Sequence, residues 1–173
     1  MRDYFLETER IAFSHWTLAD YDLAFSLWGD DTVTKFISKT GKLTEREVLK
    51  RLNIEIENEK KFQVQYWPIF EKETGVFVGC CGLRPYNIGE RIYEIGFHLT
   101  TKFWGKGLAL EAARAIIQYA VDNLNVYRFF AGHNPNNTNS KKILQKLGFE
   151  YIGDDYYEPT GLHHPSYKYH ISK

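Results

Sequence analysis

A change of hydrophobic period across residues 91–124 constrains the fold of this chain more than any other feature. Arg91-Ile92-Tyr93-Glu94-Ile95-Gly96-Phe97-His98-Leu99 alternates as a strand, whereas Leu108, Ala112, Ile116, Ala120 and Leu124 recur at helical spacing. Between them stands Trp104-Gly105-Lys106-Gly107-Leu108-Ala109. A helix entered through two glycines exposes its first-turn N–H groups at the positive end of its dipole, with no side chain to hold an anion away. The segment therefore reads as an anion cradle, with a simple flexible entry turn as the plainer alternative.

Two other phosphate motifs are excluded by inspection. A nucleoside-triphosphate loop needs Ser or Thr after Gly-Lys, and Gly107 stands there. The dinucleotide fingerprint needs a third glycine where Leu110 lies, and Asp122 falls inside the helix rather than at a strand end.

The 173 residues suit one domain, 1–173, with a core that needs no staples. Acidic and basic residues balance at 22 each, which argues against a nucleic-acid partner. The start, Met1 to Glu7, is broken by charge before any signal-peptide core forms, and the longest apolar run, Val76 to Leu83, is too short to span a bilayer. A cytoplasmic protein without membrane partners is expected. Cys80 and Cys81 are adjacent, so they close no useful disulfide loop and point to opposite faces of a strand. They read as small buried hydrophobes rather than acyl carriers, and no metal site is expected.

The pattern gives a strand at Ile11–Trp16 and a helix capped by Thr17 with Asp20. A second helix starts at Thr44, where Thr44-x-x-Glu47 forms a capping box. Strands follow at Gln63–Glu71 and Val76–Leu83, joined by the turn Lys72–Gly75, and then at Arg91–Leu99. Val126–Ala131 and Glu150–Ile152 are strand-like and flank a helix over Lys141–Leu147. Meandering strands with helices before and after imply an α+β sheet covered on both faces. Ser38–Leu43 and Tyr156–Pro165 read as mobile loops.

On the central strand Tyr93, Ile95, Phe97 and Leu99 share one face, and Ile92, Glu94, Gly96 and His98 the other. Gly96 could leave a ligand room against the sheet, with Glu94 aimed into the gap as a general base. His98 is a competing base, and an ion-paired structural Glu94 is the plainer reading.

Several of these features combine with a second constellation, Asn137-x-x-Ser140 leading to Lys146-Leu147-Gly148-Phe149. Together with Glu94-Ile95-Gly96-Phe97 and the Gly105-Lys106-Gly107-x-Ala109 loop, they resemble the GNAT superfamily of acetyl-CoA-dependent N-acyltransferases. The opening Leu6-Glu7-Thr8-Glu9-Arg10-Ile11, followed by Leu18-Ala19-Asp20-Tyr21, resembles the ribosomal-protein alanine N-acetyltransferase subfamily.

The resemblance implies a mixed, mostly antiparallel sheet of about seven strands with a splayed central pair. It further implies direct transfer of acetyl from acetyl-CoA, without a metal, to a primary amine such as a protein or peptide N-terminal α-amine. The alternatives are a small amine (a polyamine or an amino-sugar antibiotic) or a non-catalytic CoA-binding module, as a monomer or homodimer. Glu94 and Ser140 take the catalytic roles, and Phe97, His98, Leu99, Trp104, Gly105, Lys106, Gly107, Leu108, Ala109, Asn137, Ser140 and Lys142 hold acetyl-CoA. Asn137 and Ser140 fit equally as helix-start residues. Trp104 replaces the usual Gln or Arg, and Leu144 stands where many members place an acidic Tyr. Asp154, Asp155 and Glu158 are expected to form an acidic rim on the acceptor side.

Overall fold

The alternating segments assemble into one eight-stranded sheet in the computed structural model, which describes residues 2–172. Met1 and Lys173, the two ends of the expected domain, lie outside the described residues. The strands are β1 (Leu6–Glu7), β2 (Ile11–Phe13), β3 (Tyr66–Glu71), β4 (Phe77–Asn87), β5 (Ile92–Leu99), β6 (Arg128–Gly132), β7 (Glu150–Tyr157) and β8 (Leu162–His170). They lie in the order β1-β2-β3-β4-β5-β6-β8-β7, antiparallel except for β5 against β6. A parallel pair requires a crossover, and α4 (Leu108–Leu124) supplies it.

The remaining helices are α1 (Tyr21–Trp28), α2 (Asp31–Thr34), α3 (Glu45–Phe62) and α5 (Thr138–Leu147). The α3 start carries the expected capping box, with Thr44 N–H donating to Glu47 Oε2 at 2.7 Å and Glu47 N–H to Thr44 Oγ1 at 3.3 Å. Apolar side chains gather in two clusters. Ile95, Cys81 and Phe129 pack with Ala112 and Ile116 of α4 and Leu144 of α5, while Tyr66 and Cys80 pack with Trp28 of α1 and Val48 and Leu52 of α3. Adjacent Cys80 and Cys81 thus fall into different clusters, as strand alternation requires.

The functionally decisive feature is where the sheet opens. β5 pairs with β6 only through Ile92–Arg128, Tyr93–Phe129 and Glu94–Phe130. Beyond Glu94, β5 continues to Leu99 along β4, and β6 continues to Gly132 along β8. This is the splayed central pair, and it leaves backbone N–H and C=O groups of β5 facing a gap.

Several stretches differ from the sequence reading. The strand expected to end at Leu83 runs to Asn87, and the one beginning at Ile11 ends at Phe13 rather than Trp16. Residues 156–165, expected as a mobile loop, form the turn end of the β7–β8 hairpin, with Tyr156, Tyr157 and 162–165 paired in strands and the turn confined to Glu158–Gly161. Pro165 is tolerated in β8 because Gly132, the last residue of β6, already pairs with Ser166. Ser38–Leu43 is tied to that turn, Lys39 N–H donating to the Pro159 carbonyl at 2.7 Å and Lys39 Nζ to Glu158 at 2.6 Å.

Candidate active site

Two hollows meet at the opening between β5 and β6. The outer cleft runs from the end of β5 over the start of α4 to α5. It is lined by Phe97, His98, Leu99, Trp104, Gly105, Gly107, Leu108, Ala109, Asn137, Ser140 and Lys142, which is the expected acetyl-CoA set except for Lys106. The Lys106 ammonium lies over the Phe103 ring instead, 5.0 Å from its centre.

Gly105 and Gly107 have φ of +73° and +77°, a region that strains any residue with a Cβ. Gly107 is the N-cap of α4, and no side chain caps the helix, so the first-turn N–H groups remain available to an anion. The loop is held from behind. Arg10 Nη1 donates to the Lys106 carbonyl at 2.9 Å, and Arg10 Nε to Glu111 Oε2 at 2.6 Å, while Thr8 Oγ1 donates to Glu111 Oε1 at 2.6 Å. Burial opposes ionisation of Glu111, but these donors outweigh it and hold its pKa below the usual range. At the other end, Trp104 Nε1 donates to the Leu99 carbonyl at 2.8 Å, so this indole links the loop to β5.

The inner pocket is walled by Arg51 of α3, Tyr66 of β3, Arg84 of β4, Glu94 of β5 and Tyr157 of the β7–β8 hairpin. Phe36, Phe97, His98, Asn137 and Ser140 border both hollows, so the two communicate there. Asn134 Nδ2 donates to the Phe36 carbonyl at 3.2 Å and secures the roof.

The space beside Gly96, expected to receive a ligand, is filled from within the protein. A Cβ at Gly96 would run into the Tyr66 hydroxyl, so the glycine admits Tyr66 rather than a substrate. That hydroxyl donates to Glu94 Oε1 at 3.5 Å. Burial raises the Glu94 pKa above its ordinary value, although Arg84 and Arg51 pull the other way. The same burial keeps Tyr66 a neutral phenol, its pKa pushed well up.

His98 has a different character. Trp28 Nε1 donates to His98 Nδ1 at 3.3 Å, and since an indole N–H can only donate, the imidazole proton belongs on Nε2. Burial first, then the charges of Arg51 and Arg84, push the His98 pKa well below 6.5. It is a neutral donor into the site and a poor base. Cys80 Sγ lies 3.8 Å from the same nitrogen, but burial pushes its thiol up to about 12, so no thiolate forms.

Asn137 caps α5 through Oδ1, which accepts from Ser140 N–H at 3.2 Å, so the structural role read from the sequence is present. Ser140 Oγ has no partner among the described residues and sits at the junction of the hollows. Leu144 is buried against the inner pocket and offers no acid. Of the expected acidic rim only Asp155 lines the pocket, because Glu158 is paired with Lys39 and Asp154 accepts from Tyr151 at 3.0 Å.

Sequence reasoning missed Arg51, Tyr66 and Arg84. On a predicted helix Arg51 and Glu55 look like a solvent-facing i, i+4 ion pair. In the structure Glu55 is fully buried and accepts instead from Arg84 and, at 2.8 Å, from Tyr66 N–H. No group of ligating side chains among the described residues could hold a metal ion, and no helix there is long and apolar enough to cross a membrane.

The mixed sheet thus opens between two parallel strands, with an uncapped glycine-entered helix on one side of the gap and a half-buried carboxylate on the other. Residues 10–150 match the family described as acetyltransferase (GNAT) domain, and the chain belongs to it. It is 33% identical over 153 residues to the uncharacterized N-acetyltransferase p20 of Bacillus licheniformis, covering 86% of this chain and 83% of the relative. Over 104 residues, 60% of this chain and 54% of the relative, it is 29% identical to the ribosomal protein uS5 alanine N-acetyltransferase of Escherichia coli. The fold is shared with RimL, a ribosomal L7/L12 α-N-protein acetyltransferase solved with coenzyme A, at a TM-score of 0.82 and 14% identity over 98% of each chain.

Proposed function

We propose that this acetyltransferase moves acetyl from acetyl-CoA directly to the α-amine of a protein or peptide N-terminus, with Glu94 accepting the amine proton. The observation that carries the reading is the meeting of the two hollows at the β5–β6 opening, with Glu94 on the inner side and Ser140 at the junction. The outer cleft fits acetyl-CoA by its chemistry. Free N–H groups at the α4 start suit the pyrophosphate, the unpaired edge of β5 suits the amides of the pantetheine arm, and Lys142 adds a cation.

Acetyl-CoA supplies an activated acetyl thioester; the protein supplies position and proton handling. An acceptor amine enters mainly as an ammonium, since an α-amine has a pKa of roughly 7.7–8.0. Glu94 takes the ammonium proton, directly or through water, and its raised pKa makes it a better acceptor than an exposed carboxylate. The free amine then attacks the thioester carbonyl, and as the C–S bond breaks nitrogen gives up its second proton. Ser140 Oγ, which has no partner among the described residues and borders both hollows, donates to the departing thiolate and takes the second amine proton in return. The relative that acts on a ribosomal-protein alanine supports a peptide α-amine as acceptor. The two arginines beside Glu94 oppose a polyamine, which would bring further positive charge into the same space.

Incubation with acetyl-CoA and a peptide panel, free or blocked at the N-terminus, tests this by mass spectrometry. One added acetyl on free peptides only is expected. Acetylation of lysine side chains or polyamines in preference to α-amines overturns it.

A further inference from the structure

Arg51 is the inner-pocket group that the transfer chemistry leaves unused. Its Nε is buried with no hydrogen-bond partner, and the side chain makes neither a hydrogen bond nor an ion pair within 4.0 Å among the described residues. Its contact is with the Trp28 ring, 4.9 Å from the guanidinium carbon. The obvious partner one turn along α3, Glu55, is occupied by Arg84 and the Tyr66 N–H. A guanidinium offers five donors and does not lose its charge, so leaving it enclosed and unpaired is costly unless something else binds it.

We infer that the acceptor carries an anionic group beside its amine, a carboxylate or phosphate, and that Arg51 receives it. The inference rests on the acetyl-acceptor reading of this pocket and narrows it. Arg51, Arg84 and Glu94 line the interior, and the fully buried Glu55 pairs with Arg84. Glu55 and Arg84 close on each other, which leaves Glu94 and Arg51 to face the substrate. Asp155 lines the hairpin side, and His98, His133 and His164 have pKa values lowered chiefly by burial, so they add no cation. A carboxylate on one side and an unpaired guanidinium on the other complement a molecule that is ammonium at one end and acid at the other. For a peptide the acid is the side chain of an N-terminal Asp, Glu or phosphoserine; for a free amino acid it is the α-carboxylate.

Kinetics and binding separate these sources. Values of kcat/KM are compared for peptides beginning with Asp, Glu or phosphoserine, for the matched Asn, Gln and Ser peptides, and for free glutamate against its α-amide. The acidic member of at least one pair is expected to lead by about 10-fold or more, the scale of a charge-assisted contact. Arg51→Gln collapses that ratio towards 1, and Arg51→Lys, which keeps the charge without the fork, retains part of it. Calorimetry with N-acetylated Asp and Asn peptides on protein saturated with CoA reads the same preference without turnover. Equal treatment of every acidic and neutral pair by the wild-type protein overturns the anionic subsite even if neutral peptides are acetylated well. A preference that survives Arg51→Gln removes Arg51 from it. A binding preference that Arg51→Gln abolishes, with no amine acetylated, upholds the subsite while the acetyl-acceptor reading fails.

Discussion

The outer cleft and the inner pocket share a border but are built in opposite ways. The cleft is made of backbone: two glycines at positive φ, the open start of α4 and the unpaired edge of β5. The pocket is made of side chains from six strands and two helices, Arg51, Tyr66, Arg84, Glu94 and Tyr157 among them. A backbone site recognises what every reaction of this kind shares, whereas a side-chain site can be re-specified one residue at a time. Under the proposed function the cleft serves the common donor and the pocket the particular acceptor.

The largest expected effect tests the division at Glu94. Glu94→Gln keeps the shape and loses the base, so kcat should fall about 10²–10⁴-fold with acetyl-CoA affinity nearly unchanged. The wild-type pH profile of kcat/KM should show an acid limb above the ordinary carboxylate range, since Glu94 must be ionised to act and burial raises its pKa. That limb should vanish in the variant. A variant turning over at the wild-type rate at every pH breaks the assignment.

Next comes the cleft itself. Gly107→Val places a branched side chain at φ +77°, a strain of about 1–2 kcal/mol that also blocks approach to the α4 N–H groups. Acetyl-CoA should bind at least ~10-fold more weakly by calorimetry. Lys106→Ala should cost only about 2-fold, because that ammonium lies over Phe103 rather than in the cleft. A larger loss for Lys106 than for Gly107 would show that side chains carry the donor site.

Ser140→Ala tests the border between the regions. A thiolate, whose acid has a pKa near 8.5, leaves readily, so kcat should drop by about 10-fold or less. Arg10→Ala removes the rear clamp on the loop, and because the pair with Glu111 is partly exposed, a stability loss of about 0.5–1 kcal/mol in urea and a ~3-fold weaker acetyl-CoA affinity are expected. The smallest catalytic effect is that of Cys80→Ala with Cys81→Ala. Both thiols are buried and held protonated, so activity should persist while the midpoint of urea unfolding falls. Capture of an acetylated cysteine competent to pass its group to an amine would overturn direct transfer.

How much of this was legible divides along the same line. Trp104 to Ala109, the α4 spacing, the Thr44–Glu47 capping box and the Asn137 cap are local, since the hydrogen bonds that define them span a few residues. Glu94 was legible as a residue type on a strand facing away from the core. The β7–β8 hairpin was not, because Pro159, Gly161 and Pro165 look like loop punctuation until β6 is seen to end beside Pro165. Gly96 was read correctly as a close approach but with the wrong partner, since Tyr66 lies 30 residues away.

By itself, then, the sequence determined the outer cleft: periodicity set the strand and helix, glycines set the loop conformation, and the helix end supplied its own N–H groups. The tertiary structure alone decided the inner pocket. Arg84 stands opposite Glu94 through the β4–β5 register, Glu55 turns inward to Arg84, and Arg51 is left without a hydrogen-bond or ion-pair partner among the described residues. Each of those outcomes depends on which distant side chain claims a shared charge first, and that competition exists only once α3 has packed on the sheet.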